Sequence, residues 1–506
     1  MRPLIHEIAA SCAPESLVEQ LRREPGVVLL QSAGVDSPQS RYSFVAARPF
    51  LTLRSSGSQC ELRAPPAGRD GQVQFGNPWH LLDGLMSRYE LLDEVDLPFP
   101  LGGCFGYWGY DLKNFVEPKL PRRAVSDLEL PDCSVGFYDS LVVFDRRAGK
   151  TWIVSTGLDV DGARSEERAE GQLEFWRHKL DSIPDSGEPP LVWNAFEESG
   201  VRGLSPPTPG LETRGPAHGA TAGSRVTSNF SREAFIAAVE RAQRYIRRGD
   251  IYQVNLSQRL AAPCPWTGWG LFRRLAAVSP APFAAYLDCG EFQIASSSPE
   301  LFLRLTGPRI QTRPIKGTRP RSTEPSRDAR LAYELRTSAK EMAELVMITD
   351  LLRNDVGKVC DYGSVRVPEL VRLERYPQVQ HLVSTVEGRL RPNVTHFAAF
   401  ASCFPGGSIT GAPKIRAMEI IDELEPNTRG PYSGALGYLG FNRESQLSIL
   451  IRAAIRKGRT AYFHAGAGIV ADSVPAAEYD ETLAKALGFF ATLNLHPQSE
   501  YASLTT

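Results

Sequence analysis

From Glu197 to about Ser228 the chain turns to Gly, Pro, Ser and Thr, in runs such as Leu204-Ser205-Pro206-Pro207-Thr208-Pro209-Gly210. A stretch of this composition has little apolar surface to bury and reads as a linker or long loop. At 506 residues the chain is also too long for one compact core, so the stretch divides it into halves. The expected organisation is an N-terminal region over 1–193, a linker over 194–228 and a C-terminal region over 229–506.

Both halves mix strands with helices. In the first, Gly26-Val27-Val28-Leu29-Leu30, Phe50-Leu51-Thr52-Leu53, Leu141-Val142-Val143-Phe144 and Thr151-Trp152-Ile153-Val154 are short apolar runs bounded by turns, with helical stretches near Leu81–Tyr89 and Gly162–Ser182. The run Gly102-Gly103-Cys104-Phe105-Gly106-Tyr107-Trp108-Gly109-Tyr110-Asp111 interleaves glycines with aromatics, which favours close packing between sheets. In the second half, Ser231 opens a helix with Phe235, Ile236, Val239, Ala242 and Ile246 at helical spacing. Strands follow at Ile251–Ser257, Phe283–Leu287 and Phe292–Ala295, the last two around the turn Asp288-Cys289-Gly290. The fold class is therefore α+β.

Composition excludes several roles. A formal net charge of -1 gives no global attraction to nucleic acid or to an anionic membrane surface. No secretory signal opens the sequence and no apolar run is long enough to span a bilayer, so a cytoplasmic location is expected. The eight cysteines show no CxxC pair and read as free thiols rather than disulfides or zinc ligands.

The chemistry centres on Gln311-Thr312-Arg313-Pro314-Ile315-Lys316-Gly317-Thr318-Arg319-Pro320. Pro314 and Gly317 define the backbone around Lys316, which is expected at a strand's end. A lysine acts as a nucleophile only where burial or neighbouring cations let it shed its proton. Glu300, after Ser296-Ser297-Ser298-Pro299, is expected at another strand end, where partial burial would suit it to proton transfer. A helix expected from about Arg327 to Asn354 carries Glu341 and Glu344, and a C-terminal helix carries Glu478 and Glu481 at the same spacing. Two such carboxylate pairs suit a hard divalent ion, magnesium rather than zinc. Gly406–Lys414, before a helix, combines free amides with the hydroxyl of Ser408 and could dock a carboxylate. Arg452, read as part of the strand Ser448–Arg452, offers a guanidinium fork, and Gly466 and Gly468, read as following a strand, admit a ligand close to the backbone. His381 and Tyr432 add neutral donors.

Taken together, the lysine stretch, Lys340-Glu341-Met342-Ala343-Glu344, Asp350–Asp355, Gln380–Ser384, Gly411–Lys414 and Gly466–Ser473 closely resemble the chorismate-binding family. That family includes the large subunits of anthranilate synthase and aminodeoxychorismate synthase, and isochorismate and salicylate synthases. The first half resembles the N-terminal region of the two amine-transferring members. The resemblance implies a large two-subdomain β-sandwich with helices on the outside. It also implies that Lys316 is a nucleophile and Glu300 a proton donor, with Glu341, Glu344, Glu478 and Glu481 around Mg2+ and the ring carboxylate. Thr318, His381 and Ser408 would lie nearby, and Tyr432, Arg452, Gly466 and Gly468 would hold chorismate. Anthranilate synthases usually place alanine where Lys316 stands. Isochorismate and salicylate synthases place a water-activating lysine where Gln253 stands. The implied activity is that of aminodeoxychorismate synthase component I, with ammonia supplied by a separate glutamine amidotransferase subunit. The alternatives are anthranilate synthase component I or a non-catalytic chorismate-binding regulatory subunit. Ser32, Tyr42 and Pro282 match the general setting of the tryptophan pocket of the amine-transferring members, although Val278–Pro282 departs from the usual Asn-Pro-Ser-Pro.

Overall fold

A computed structural model of the chain describes residues 2–8, 12–32, 41–65, 71–92, 95–183, 226–376 and 379–495. Most of the linker, 194–225, lies outside the described residues, and Thr227–Ser228 already pairs with the strand Gln253–Pro263. Two antiparallel sheets of twelve strands each carry the fold, and each draws on both halves of the chain. In the first sheet the halves join where Val28–Gln31 pairs with Phe283–Asp288, Leu30 opposite Ala285. In the second they join where Gly103–Trp108 pairs with Ala435–Gly440, Gly106 opposite Gly437.

The sheets meet face to face through large aromatic residues, as the alternation of their strands requires. Phe44 of the first packs edge-on against Tyr438 of the second at 5.1 Å, and Tyr107 of the second meets Phe292 of the first at 6.0 Å. A second core lies between the first sheet and helices on its outer side. There Leu271 and Phe272 of Gly268–Val278 and Phe489 and Phe490 of Pro475–Thr492 join Phe463. Seven of the eight cysteines are buried and all are free. No helix among the described residues is long and apolar enough to cross a membrane.

The glycines of the 102–111 run serve a different contact from the one expected. They allow close approach within the second sheet rather than between sheets. A Cβ on Gly106 would fall 2.3 Å from the carbonyl oxygen of Ser134 on the neighbouring strand, and one on Gly437 would fall 2.1 Å from that of Gln446. Gly437→Ala should therefore cost about 3 kcal/mol through backbone displacement. A fall in the thermal unfolding midpoint checks this, and an unchanged midpoint would show that the sheet yields freely at the join.

The helix expected over 327–354 is two helices, Pro325–Thr337 and Ala339–Gly357. Ser338 breaks them at φ -70°, ψ 107° and accepts a hydrogen bond from the amide of Glu341 at 3.4 Å. The apolar stripe runs through the break and conceals it, while a serine hydroxyl satisfies a free helix-start amide as well as a continuing helix would. Glu341 consequently lies in the first turn of the second helix, beside the site.

Candidate active site

Two of the points where the chain crosses between the sheets are adjacent, and site residues stand at both. Phe292–Ser298 belongs to the first sheet and Leu301–Thr306 to the second, with Glu300 between them. Glu444–Ile449 belongs to the second sheet and Ala453–Lys457 to the first, with Arg452 between them. The crossings are bound to each other: the Ser298 hydroxyl donates to the Ile449 carbonyl at 2.6 Å, and the Ile449 amide donates to the Glu300 carbonyl at 3.1 Å. Arg452 is thus not part of a strand. It takes φ 53°, a left-handed conformation unfavourable for a residue with a Cβ, and the change of sheet requires that turn.

Lys316 lies inside the strand Ile315–Pro320 rather than at its end. Its pairing with Val379–Arg389 slips between Lys316 and Thr318, so Gly317 forms a bulge at φ 69°. A Cβ on Gly317 would sit 2.7 Å from Leu335 Cδ1 and 3.0 Å from Glu341 Oε2, so only glycine fits between the bulge and the helices. Lys316 Nζ lies 3.6 Å from Glu344 Oε2, both side chains being largely buried.

Glu300 is 6% exposed. Burial pushes its acid up to about 7, while a hydrogen bond from Ser408, the charge of Lys316 and the amide of Ile315 pull the other way. It is therefore half protonated near neutral pH and faces the lysine charge. Ser408 is held in the short turn Gly407–Ile409, whose Ile409 carbonyl accepts from the buried Arg429 guanidinium at 2.9 Å. Lys414 does not form part of an open anion site: it donates to the carbonyls of Cys403 and Pro405 at 2.9 and 2.7 Å and pairs with Asp355 at 2.5 Å.

His381 and Thr318 share a 2.9 Å hydrogen bond between Nδ1 and Oγ1. Burial lowers the imidazole to about 4, against a hydrogen bond to the backbone of Gly317 that favours its charged form, so it is neutral at pH 7. Gly466 and Gly468 lie within the strand Thr460–Ile469, not after it. A Cβ on Gly466 would meet Asn255 Oδ1 at 2.5 Å and Tyr432 Oη at 2.9 Å. One on Gly468 would meet Gln253 Nε2 at 2.4 Å and approach Lys316 Nζ to 3.7 Å. Gln253 Oε1 and Asn255 Oδ1 are buried without hydrogen-bond partners, two acceptors left on the wall beside these glycines. Tyr432 stacks on His464 at 4.8 Å and 8°.

Lys485 completes this wall and was not singled out in the sequence. Its Nζ donates to the Gly466 carbonyl at 2.8 Å and pairs with Glu481 at 2.6 Å, while its own carbonyl accepts from Arg452 at 3.1 Å. Burial lowers both Lys485 and Arg452 from their ordinary ranges. The signal was available as Glu-x-x-x-Lys on one helix face, a pattern common on solvated helices and uninformative without the burial.

Of the carboxylates expected to hold a metal, Glu344 meets Lys316, and Glu341 meets Arg319 at 3.6 Å. Burial raises Glu481, but the charges of Lys485, Lys340 and Lys316 outweigh it and hold the acid below its usual range. Glu478 is raised chiefly by burial. It accepts from the Ser473 hydroxyl on Oε1 at 2.6 Å, and its Oε2 is buried without a partner. Among the described residues no three acidic, histidine or cysteine side chains converge closely enough to form a finished metal cage. Even so, an all-carboxylate donor set with one buried oxygen left unsatisfied is chemically suited to a hard cation such as magnesium.

Ser32, Tyr42 and Pro282 do come together, lining a cavity of about 30 Å3 with Phe44 and Ser448. The Ser32 hydroxyl is committed to the Tyr42 carbonyl at 2.7 Å.

A double antiparallel sandwich with a buried acid and an arginine at two strand crossings, and a lysine and paired carboxylates gathered around them, defines an enzyme built around a small anionic substrate. The chain belongs to the chorismate binding enzyme family, which it matches over residues 35–490. It is 44% identical over 454 residues to anthranilate synthase component 1 of Thermus thermophilus, covering 88% of each chain. It is 38% identical over 475 residues to aminodeoxychorismate synthase component 1 of Klebsiella aerogenes, covering 94% of this chain and 95% of that one. The crystal structure of anthranilate synthase component I from Streptococcus pneumoniae TIGR4 superposes with a TM-score of 0.71 at 31% identity, over 89% of this chain and 92% of that one.

Proposed function

We propose that the chain is the chorismate-aminating subunit of an aminodeoxychorismate synthase. The observation that carries this reading is a buried Glu300, its acid raised to about 7, set where the charge of Lys316 acts on it. The two groups a displacement at chorismate needs, an amine and a proton donor, thereby face one site. In the proposed reaction the Lys316 amine adds at C2 while Glu300 gives its proton to the departing 4-hydroxyl, which leaves as water. Ammonia then adds at C4 and expels the lysine, giving 4-amino-4-deoxychorismate, and the enolpyruvyl group is retained.

Arg452, Lys485 and Tyr432 supply cationic and hydroxyl donors for the enolpyruvyl carboxylate, and the missing Cβ atoms of Gly466 and Gly468 leave it room. Glu341, Glu344, Glu478 and Glu481 would hold magnesium, whose charge would offset that of the ring carboxylate. Glu344→Gln or Glu481→Gln should raise the magnesium concentration needed for half-maximal rate by about tenfold. An unaltered magnesium titration would remove these residues from that role. Ammonia would come from a separate glutamine amidotransferase subunit, which fits the component 1 name shared by the relatives.

A second reading, anthranilate synthase component I, is favoured by the 44% identity to the Thermus thermophilus protein. Product analysis with chorismate, magnesium and ammonium separates the two. Accumulation of 4-amino-4-deoxychorismate supports the first reading. Fluorescent anthranilate with released pyruvate supports the second.

A further inference from the structure

The inner face of the second sheet begins in the sandwich core and runs out to solvent. Directly paired residues share a face, and one row of them reads Phe105, Tyr438, Gln446, Arg304, Gln311, Glu387, Arg366 across six pairings. The row is aromatic in the sandwich core and turns polar and charged, with Arg304 and Arg366, towards the sheet's outer strands. A parallel row two residues along reads Glu444, Thr306, Arg309, Arg389. The outer part of both rows lines a cleft of about 650 Å3, together with Ser364.

Its charge is unbalanced. Arg304, Arg309 and Arg366 have no ion-pair partner among the described residues, and Arg389 reaches only Asp361, at 3.7 Å with its side chain 70% exposed. Arg309 and Arg389 stand directly opposite each other on adjacent strands, where like charges are destabilising. Glu387 is the sole carboxylate of the lining. Glu444, at the inner end of the second row, is pushed up to about 7 by burial against the charge of Arg304, so near neutral pH it offsets only part of the excess. The whole chain, by contrast, carries a net charge of -1.

We propose that this cleft binds a small multivalent anion bearing two or more adjacent phosphate or carboxylate groups. All four cations are arginines, whose planar forks match such groups in pairs, and the volume is that of a small-molecule site. Bridging Arg309 and Arg389 with an anion turns their repulsion into attraction. The cleft is separate from the catalytic site: Glu387 lies six residues along its strand from His381, about 20 Å at roughly 3.4 Å per residue. It is nevertheless mechanically joined to that site, because Arg309–Arg313 leads through Pro314 directly into Lys316.

Isothermal titration of the full chain with inorganic pyrophosphate and, separately, with citrate, both in metal-free buffer, tests the proposal. Saturable binding of either anion is expected, and the preferred one identifies phosphate or carboxylate as the recognised group. Arg309→Gln and Arg366→Gln, substitutions at exposed positions checked for folding by circular dichroism, should each weaken binding about tenfold. The proposal is overturned if neither anion binds the native chain saturably. It is equally overturned if affinity is unchanged in both variants, which would place the anion elsewhere, as at Lys316 and Arg452.

Discussion

Replacing Lys316 by alanine should lower the rate of 4-amino-4-deoxychorismate formation by at least about 10³-fold, because an amination that proceeds through a lysine adduct loses its first step entirely. The substitution leaves Gly317 and the bulge intact, and the lysine side chain is not buried in the sandwich core, so folding should be little affected. Removing the amine also opens space beside Gly468, into which ammonia could approach C2 directly. Residual product should therefore shift towards anthranilate. Chromatography of the products with chorismate and ammonium checks both parts, and mass spectrometry of the native chain trapped with chorismate should find the adduct on Lys316. Unchanged rate and product in the alanine variant would remove Lys316 from the chemistry.

Glu300→Gln should lower the rate by about 10² to 10⁴-fold, the usual worth of a positioned proton donor. The pH profile separates this role from simple packing. Burial raises the folded-state acid to about 7, so the protonated, donating form predominates below that value and the rate should fall as pH rises through it. The same shift bears on stability with the opposite sign to a salt-bridged carboxylate. An unfolded chain gives up this proton near the ordinary value of 4.5 and the folded one near 7, so the acid increasingly disfavours the folded state between those limits. The glutamine variant should lack the kinetic limb near pH 7 and should unfold at higher temperature than the native chain at pH 8. A glutamine variant that keeps both the rate and the limb would rule out Glu300 as the donor.

The sequence showed the parts of the site whose meaning is local. Pro314 and Gly317 announce a constrained backbone around Lys316, and glutamates three apart on an apolar-striped helix share a flank wherever the helix packs. Other parts depend on contacts distant in sequence. Arg452 has the composition of a strand residue around it, and only the passage of the chain between sheets sets its left-handed turn. Lys414 beside free amides has the look of an anion site until Asp355, on another helix, takes its charge. Lys485 gains its place from the Gly466 carbonyl, and Ser338 breaks a helix that apolar periodicity carries straight through. The strand-rich character of both halves was plain, but not that they would share both sheets, since register between distant strands leaves no trace in either strand alone.

That sharing bears on how the polypeptide can be cut and rejoined. Strand 28–31 hydrogen-bonds to 283–288 in one layer, and 103–108 to 435–440 in the other, so each half made alone would expose two raw edges and part of an aromatic interior. Such fragments should aggregate singly yet reconstitute an active particle when co-expressed, and a single protease nick between 194 and 225 should leave the native assembly standing.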